Sequence, residues 1–168
     1  MPVLRHPRLF ATAITTVLAI AVGSAAFGQA SVTPNLTDKL DRLLRQEMRS
    51  VQSAMGRIHT AIVTGDHESV RQNAQRIHDS FILKRSLTSQ DRKDLKAAVP
   101  PGFIKLDREF HDISADLARA GQRRDTAKEL HVYERMTRNC VQCHDRYASG
   151  RFPDVRAPSG DQSSASSR

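Results

Sequence analysis

The sequence predicts an all-α fold, an antiparallel four-helix bundle, on three observations. Apolar residues recur at steps of three and four in four separate blocks, as they do on the buried face of a helix. No stretch alternates apolar and polar residues over a convincing length, so strands are not expected. Short connections with Gly and Pro separate the blocks, and short connections favour antiparallel neighbours.

The first block is the most regular. Over most of its length the apolar residues are spaced alternately four and three residues apart, which predicts one buried line along the helix that includes Met48 and Met55. Gly65 is expected to end this helix and Asp66 to cap the next one. The apolar positions of the block are Leu36, Leu40, Leu44, Met48, Val51, Met55, Ile58 and Ile62.

The later blocks follow the same rule, and turn signals separate them. Thr88-x-x-Asp91 is the pattern of a capping box and opens a short helical piece. Pro100-Pro101-Gly102 predicts a turn after that piece, and the third block stops near Gly121. The second block contains Val70, Ala74, Ile77 and Phe81, the third contains Phe103, Leu106, Phe110, Ile113 and Leu117, and the fourth, from about Asp125, contains Leu130, Tyr133, Met136, Cys140 and Cys143.

Residues 1–30 predict a signal peptide. Arg5 and Arg8 precede a mostly apolar run, and the small residues Gly28 and Ala30 fit cleavage directly after Ala30. Because the run reaches roughly 18 residues, a retained membrane anchor is the alternative, and both readings export the rest of the chain. Cleavage is the preferred reading, so we expect a periplasmic protein without stable membrane insertion.

Residues 31–150 form the predicted domain, a single one. Residues 151–168 are rich in Gly, Pro and Ser, have nothing to bury and are expected to be a disordered tail. Aromatic residues make up only 5% of the chain and Trp is absent. A core with so few large side chains is either very regular or filled by something else.

The charge balance excludes one class of partner. The formal net charge is +8, and loss of residues 1–30, which contain two arginines and no acid, lowers it to +6. The sequence contains neither a run of five or six like charges nor a basic patch interleaved with aromatic residues, so nucleic acid is not expected. A modest positive charge suits an acidic partner protein.

The only two cysteines of the chain lie in Cys140-Val141-Gln142-Cys143-His144. A structural zinc site needs four ligands, usually from a second Cys pair, and the chain has none. A thioredoxin-like redox pair needs a strand followed by a helix N-terminus, whereas this pair falls late in a predicted helix. Covalent haem attachment has Cys-x-x-Cys-His as its signature, and this is the preferred reading.

Helical geometry agrees with haem attachment. Positions 140, 143 and 144 share one face of a helix, so two thioether bonds from Cys140 and Cys143 can hold the porphyrin edge while His144 reaches the iron. The predicted export also agrees with haem attachment, because c-type haem is attached outside the cytoplasm. One covalent haem c between the helices would also supply the large apolar body that the few aromatic residues do not.

These residues resemble those of the class II c-type cytochromes, which are cytochrome c′ and its low-spin relatives. The resemblance covers roughly residues 36–150 and depends on the Cys140–His144 motif and on Arg45-Gln46-Glu47-Met48 in the first helix. The Ala61–Asp66 end of that helix is similar too. There is one departure: the family usually has an aromatic residue three positions after the histidine and then a base, and here Ala148 follows Tyr147.

The resemblance implies a four-helix bundle with haem on its last helix and His144 as the proximal axial ligand. In the low-spin relatives a methionine of the first helix is the second ligand, and Met48 occupies the position to which the Arg45-Gln46 pair points. Met55, His59 and an open distal face are the alternatives. A methionine on an apolar stripe is also common as plain core filling.

The expected function is therefore electron transfer, without enzymatic activity, between redox partner proteins through a low-spin haem ligated by His144 and Met48. The alternative is a five-coordinate haem that binds nitric oxide or carbon monoxide at an open distal face, as in cytochrome c′. A peroxidase would need a distal acid–base pair, for which the first helix offers only His59. Bundles of this family often pair through their first two helices, which leaves a homodimer open.

Overall fold

The computed structural model describes residues 31–80 and 82–158. The predicted signal peptide, Phe81 of the second block and residues 159–168 of the predicted tail lie outside the described residues. The described part is all-helical, as the sequence predicts. It contains a 3-10 turn, Thr33–Asn35, followed by α1 (Asp38–Thr64), α2 (His67–His78), α3 (Leu83–Ser86), α4 (Ser89–Ala98), α5 (Pro101–Gln122) and α6 (Thr126–Tyr147).

The ends of the helices follow local chemistry that the sequence predicts. Gly65 ends α1 with φ of 72°, in the left-handed region that favours glycine. Asp66 Oδ1 accepts a hydrogen bond from Ser69 N at 3.0 Å and so caps α2. Asp125 caps α6 in the same way, through Lys128 N at 2.9 Å.

The capping box that opens α4 is present, and it also holds α4 to α1. Thr88 Oγ1 accepts from Asp91 N at 3.1 Å, while Asp91 Oδ2 accepts from Thr88 N at 2.8 Å. The Lys39 ammonium on α1 lies 2.6 Å from Asp91 Oδ2. Hydrogen bonds from Lys39 and Thr88 lower the pKa of Asp91 to about 2. After α4, Pro101 is the first residue of α5, where its missing N–H costs nothing.

The buried face of α1 differs from the predicted one. Glu47 and Ala54 are buried, whereas Met48 is 40% exposed and Met55 is only partly buried. The prediction that Met48 lies on the inward line of α1 is therefore wrong. The physical reason is that Glu47 finds hydrogen-bond donors inside, so the helix turns a charged residue inward. The buried residues of α1 are Leu40, Glu47, Val51, Ala54, Ile58, Ala61 and Ile62.

The core lies between the long helices. Helix α2 packs against both α1 and α5, α5 packs against α6, and α1 contacts α6 over a smaller area. Tyr133 on α6 donates a hydrogen bond from its hydroxyl to the Met55 carbonyl of α1 at 3.4 Å. At the other end of α6, Val32 N donates to Tyr147 O at 3.1 Å. The start of the described chain therefore lies beside the end of α6.

No helix within residues 31–80 and 82–158 combines the length and the apolar character that crossing a membrane would require.

Candidate functional site

The Cys-x-x-Cys-His motif occupies the last two turns of α6. The buried face of this helix carries Met136 and Asn139, and Cys143 follows Asn139 by four residues on the same face. Cys140, Cys143 and His144 are all half-buried, and both cysteines are free thiols. The core-facing side of α6 therefore continues directly into the motif, as the sequence predicts.

The surroundings of the two thiols do not favour thiolate chemistry. Burial raises the pKa of Cys140 to about 11. Burial, and then the negative charge of Asp107 on α5, raise the pKa of Cys143 to about 12. Both groups are protonated at neutral pH, whereas a reactive redox thiol has a lowered pKa and usually lies at a helix N-terminus. This environment argues against a thioredoxin-like redox pair.

The His144 imidazole stacks on a residue that sequence analysis missed. The rings of His144 and Phe152 have centroids 4.7 Å apart and planes inclined by 19°. Burial, and then the charge of Arg151, lower the pKa of His144 below its ordinary value. The stack covers the face of the imidazole and leaves the lone pairs of its nitrogens, which lie in the ring plane, pointing away from Phe152.

Phe152 belongs to a segment that folds back on α6. The N–H groups of Arg151 and Phe152 both donate to Ala148 O, and Ala157 N donates to Asp145 Oδ2 at 3.3 Å. The sequence predicts disorder from residue 151, but residues up to 158 have these defined contacts. One signal was present: a single phenylalanine interrupts an otherwise small and polar segment, eight residues after the histidine.

The three candidate distal ligands lie at different places on α1. Met48 is exposed, as described above. Met55 is partly buried and packs against the core, and its carbonyl accepts the Tyr133 hydroxyl. His59 is exposed, with its ring 6.2 Å from the Tyr133 ring. Tyr133 precedes His144 by about three turns of helix, but burial and then the charge of Cys140 raise the pKa of Tyr133, so the hydroxyl that bonds to the Met55 carbonyl lies near the first cysteine of the motif.

Sequence analysis assigned no role to two acidic residues that the structure brings into play. Glu47 on α1 is 2% exposed, and its carboxylate accepts hydrogen bonds from Ser80 Oγ at 2.8 Å and Ile82 N at 2.6 Å. Asp107 on α5 lies close enough to Cys143 to raise its pKa. A search for apolar residues at helical spacing gives no signal for either residue, because both are acidic.

The site also contains a buried donor without a partner. Among the described residues, Asn139 Nδ2 is buried and makes no hydrogen bond. An unpaired buried amide costs free energy, so its lack of an acceptor needs an explanation. Asn139 directly precedes Cys140, so a group with acceptor oxygens bound beside the thiols would satisfy it. The two cysteines and the histidine fit a covalently attached haem, whereas the haem carboxylates lie on the porphyrin edge opposite the thioether bonds and do not account for the Asn139 donor.

Within the described ranges, no three His, Cys, Asp or Glu side chains are grouped as the ligands of a bare metal ion. No family model, curated protein or solved structure matches the chain. The residues of the motif and their surroundings therefore carry the functional interpretation.

Proposed function

We propose that this protein is an exported c-type cytochrome with one covalent haem that carries electrons between redox partner proteins. The observation that carries the proposal is the Cys140-x-x-Cys143-His144 motif at the end of the last helix of an all-helical domain. The finer architecture is part of the proposal: α1, α2, α5 and α6 form an antiparallel four-helix bundle of the class II cytochrome type, and α3 and α4 connect α2 to α5.

In this proposal the chain contributes attachment, one axial ligand and a sheltered environment. Cys140 and Cys143 supply the thioether sulfurs, and His144 supplies the axial nitrogen. The haem, when bound, supplies reversible one-electron chemistry. The half-buried placement of the motif limits water around the iron and keeps the dielectric low.

The register of α1 against α6 supports Met48 as the second ligand. Met55 lies opposite Tyr133, and the entry to α1 lies beside Tyr147, so α1 and α6 run in opposite directions. Met48 precedes Met55 by seven residues, and Cys140 follows Tyr133 by seven, which is about 10 Å along each helix. Met48 is therefore at the level of Cys140. A Met/His pair raises the reduction potential and suits electron transfer.

The exposure of Met48 favours a second candidate function. A methionine that is 40% exposed is not fixed toward the interior by packing. If it stays outward, the distal face of the haem is open, the iron is five-coordinate, and nitric oxide or carbon monoxide binds there. Electron transfer and gas binding thus differ in one observable, the state of the sixth coordination position.

The first experiment is an optical spectrum of the exported, mature protein, produced in a host that attaches c-type haem. The spectrum is recorded in the ferric and the reduced states, with and without carbon monoxide. Sharp low-spin bands that do not respond to the gas support two protein ligands and electron transfer. High-spin bands that shift promptly with the gas support the second candidate. The absence of haem bands contradicts both.

Substitutions of the motif cysteines and of Met48 test which residues bind the haem and its iron. Cys140→Ala and Cys143→Ala should each remove one thioether bond, which shifts the pyridine haemochrome band and lowers the yield of loaded protein. Met48→Leu should turn a low-spin spectrum high-spin and admit carbon monoxide, whereas the matched variant Met55→Leu should leave the spectrum unchanged. A low-spin spectrum in Met48→Leu would assign the sixth position to another residue.

A further inference from the structure

The segment that follows α6 places an aromatic ring on the imidazole of the motif. Phe152 lies beyond the end of the helix, and its ring is nearly parallel to that of His144, with the centroids 4.7 Å apart. The Arg151 guanidinium lies 5.6 Å from the centroid of the Phe152 ring, within the range of a cation–π contact. The imidazole, the phenyl ring and the guanidinium thus form a contiguous group.

The backbone holds this group in place from both sides. Phe152 N donates to Ala148 O at 3.0 Å, and Val155 N donates to Phe152 O at 3.2 Å. Further along, Ala157 N donates to Asp145 Oδ2 at 3.3 Å, which ties the segment to the residue directly after His144. Backbone hydrogen bonds of residues on both sides of Phe152 therefore hold it in place beside His144.

Stacking restrains the one rotation that matters for an axial histidine. Rotation about the bond between the imidazole ring and Cβ has a broad preference, so a ring without contacts samples many orientations. Metal-binding histidines are usually fixed by a hydrogen bond from their second nitrogen to a carboxylate or carbonyl. In residues 31–80 and 82–158, no such hydrogen bond to the His144 ring is formed. The Phe152 ring is the restraint that the structure supplies.

We propose that Phe152 is a positioning residue for His144. Its ring sets the orientation of the imidazole plane about the axial bond, in place of the usual hydrogen bond, and leaves the in-plane nitrogen lone pairs uncovered. This inference rests on the proposed function, because the orientation of the imidazole has consequences only when His144 binds iron. Arg151 and the contact of Ala157 with Asp145 keep the phenyl ring in position.

The test compares three variants of the exported, haem-loaded protein. Phe152→Leu keeps an apolar side chain of similar volume but removes the flat ring, and Phe152→Tyr restores the ring. Phe103→Leu is the matched control, since Phe103 makes an edge contact with Tyr147, 5.6 Å between centroids, at the same end of the molecule. Helix content by circular dichroism and the ratio of haem to protein are measured first for each variant.

The readout is the electron paramagnetic resonance spectrum of the low-spin ferric protein, with cyanide added if the iron is high-spin, because the principal g-values of low-spin haem depend on the orientation of the axial ligand plane. We expect Phe152→Leu to shift and broaden the g-values, and Phe152→Tyr and Phe103→Leu to retain the wild-type values. Unchanged g-values in Phe152→Leu would overturn the inference. Equal shifts in Phe152→Leu and Phe103→Leu would overturn it too, because they would show a general packing effect.

A second measurement does not depend on the leucine variant folding. In the reduced wild-type protein, saturated with carbon monoxide if it is high-spin, nuclear Overhauser effects should connect the ring protons of His144 and Phe152. Their absence would overturn the inference even with haem bound. If the wild-type protein carries no haem at all, the proposed function itself fails. The two failures are therefore distinguished by the optical spectrum.

Discussion

At the scale of single residues, the most informative side chains are two buried carboxylates. Glu47 is satisfied by donors from the chain after α2, including Ser80 Oγ and Ile82 N. Glu129 is fully buried near the start of α6, and its Oε1 lies 2.9 Å from His67 Nδ1 on α2. Both residues occupy positions where an apolar side chain would be expected, and both tie α2 or its continuation to another helix.

The Glu129–His67 pair gives a prediction about stability. Glu129 Oε2 is buried without a partner among the described residues, so loss of His67 leaves the whole carboxylate unpaired. We expect His67→Ala to lower the free energy of unfolding by about 3 kcal/mol. The same substitution in a Glu129→Leu background should cost much less, because no buried carboxyl group remains to be left without a partner.

Urea unfolding followed by circular dichroism measures this effect on the loaded protein. His131→Ala, at an exposed position of α6, is the control and should change the midpoint little. Equal losses from His67→Ala in the wild-type and Glu129→Leu backgrounds would contradict the prediction.

At the scale of the elements, helix ends were predictable and helix rotation was not. Gly65, Asp66 and Asp125 act on the backbone next to them, so their roles can be derived from a few neighbouring residues. The rotation of α1 is decided by distant partners: Glu47 is drawn inward by the chain near Ser80, and that moves Met48 outward. No local pattern contains this information, since the partner lies more than a helix away in sequence.

Close packing between α2 and α5 gives a prediction at this scale. A Cβ atom at Gly121 would lie 2.8 Å from Arg71 N and 2.9 Å from His67 O, which are backbone atoms and cannot move unless the helices separate. We expect Gly121→Ala to lower the free energy of unfolding by about 1–3 kcal/mol.

Gly56 on α1 is the matched control. A Cβ atom there has no neighbour within 4 Å, so Gly56→Ala should stabilise the protein by about 0.5–1 kcal/mol through the better helix propensity of alanine. Thermal unfolding monitored at 222 nm measures both variants. The same sign of effect in the two variants would contradict the assigned packing of α5 on α2.

At the scale of the whole molecule, several positively charged side chains line one face of α1. A shallow groove there is lined by residues of this helix alone, which are Lys39, Arg42, Leu43, Arg45, Gln46 and Arg49. Arg45 is paired with Asp41 at 2.8 Å, and Lys39 with Asp91. The exposed Met48 lies on the same helix, directly before Arg49 in the sequence.

If the protein carries electrons as proposed, this distribution predicts how salt affects the rate of electron transfer. Oxidation of the reduced protein by an anionic metal complex should slow as ionic strength rises, and oxidation by a cationic complex should accelerate. The double variant Arg42→Glu/Arg49→Glu should slow the anionic reaction at low salt, roughly tenfold. Stopped-flow absorbance of the haem bands measures these rates.

The control is Arg123→Glu/Arg124→Glu, which changes the net charge equally at the exposed turn between α5 and α6. It should reduce the rate less, because this turn lies at the opposite end of α6 from the motif. Equal effects of the two double variants would show that net charge alone, and not the face of α1, steers the reagent.

The sequence predicted the all-helical class, several helix ends and the position of the Cys140–His144 motif on the last helix, because each depends on nearby residues. It failed for contacts made across the fold. Phe152 was assigned to a disordered tail because its partner, His144, is recognised only when the chain folds back. Asn139 and Asp107 were missed because a polar residue beside a motif has no distinctive spacing.

The hydrogen bond between Val32 and Tyr147 has a consequence for the order of assembly. It joins residues separated by nearly the whole domain. Closing so large a loop lowers the chain entropy before any contact compensates for that loss. We therefore expect this end of the molecule to close late, after α2 has docked on α1 and α5. Until then Cys140 and Cys143 remain accessible to the enzyme that would attach the proposed haem. Slow closure would thus extend the time in which the polypeptide can be modified.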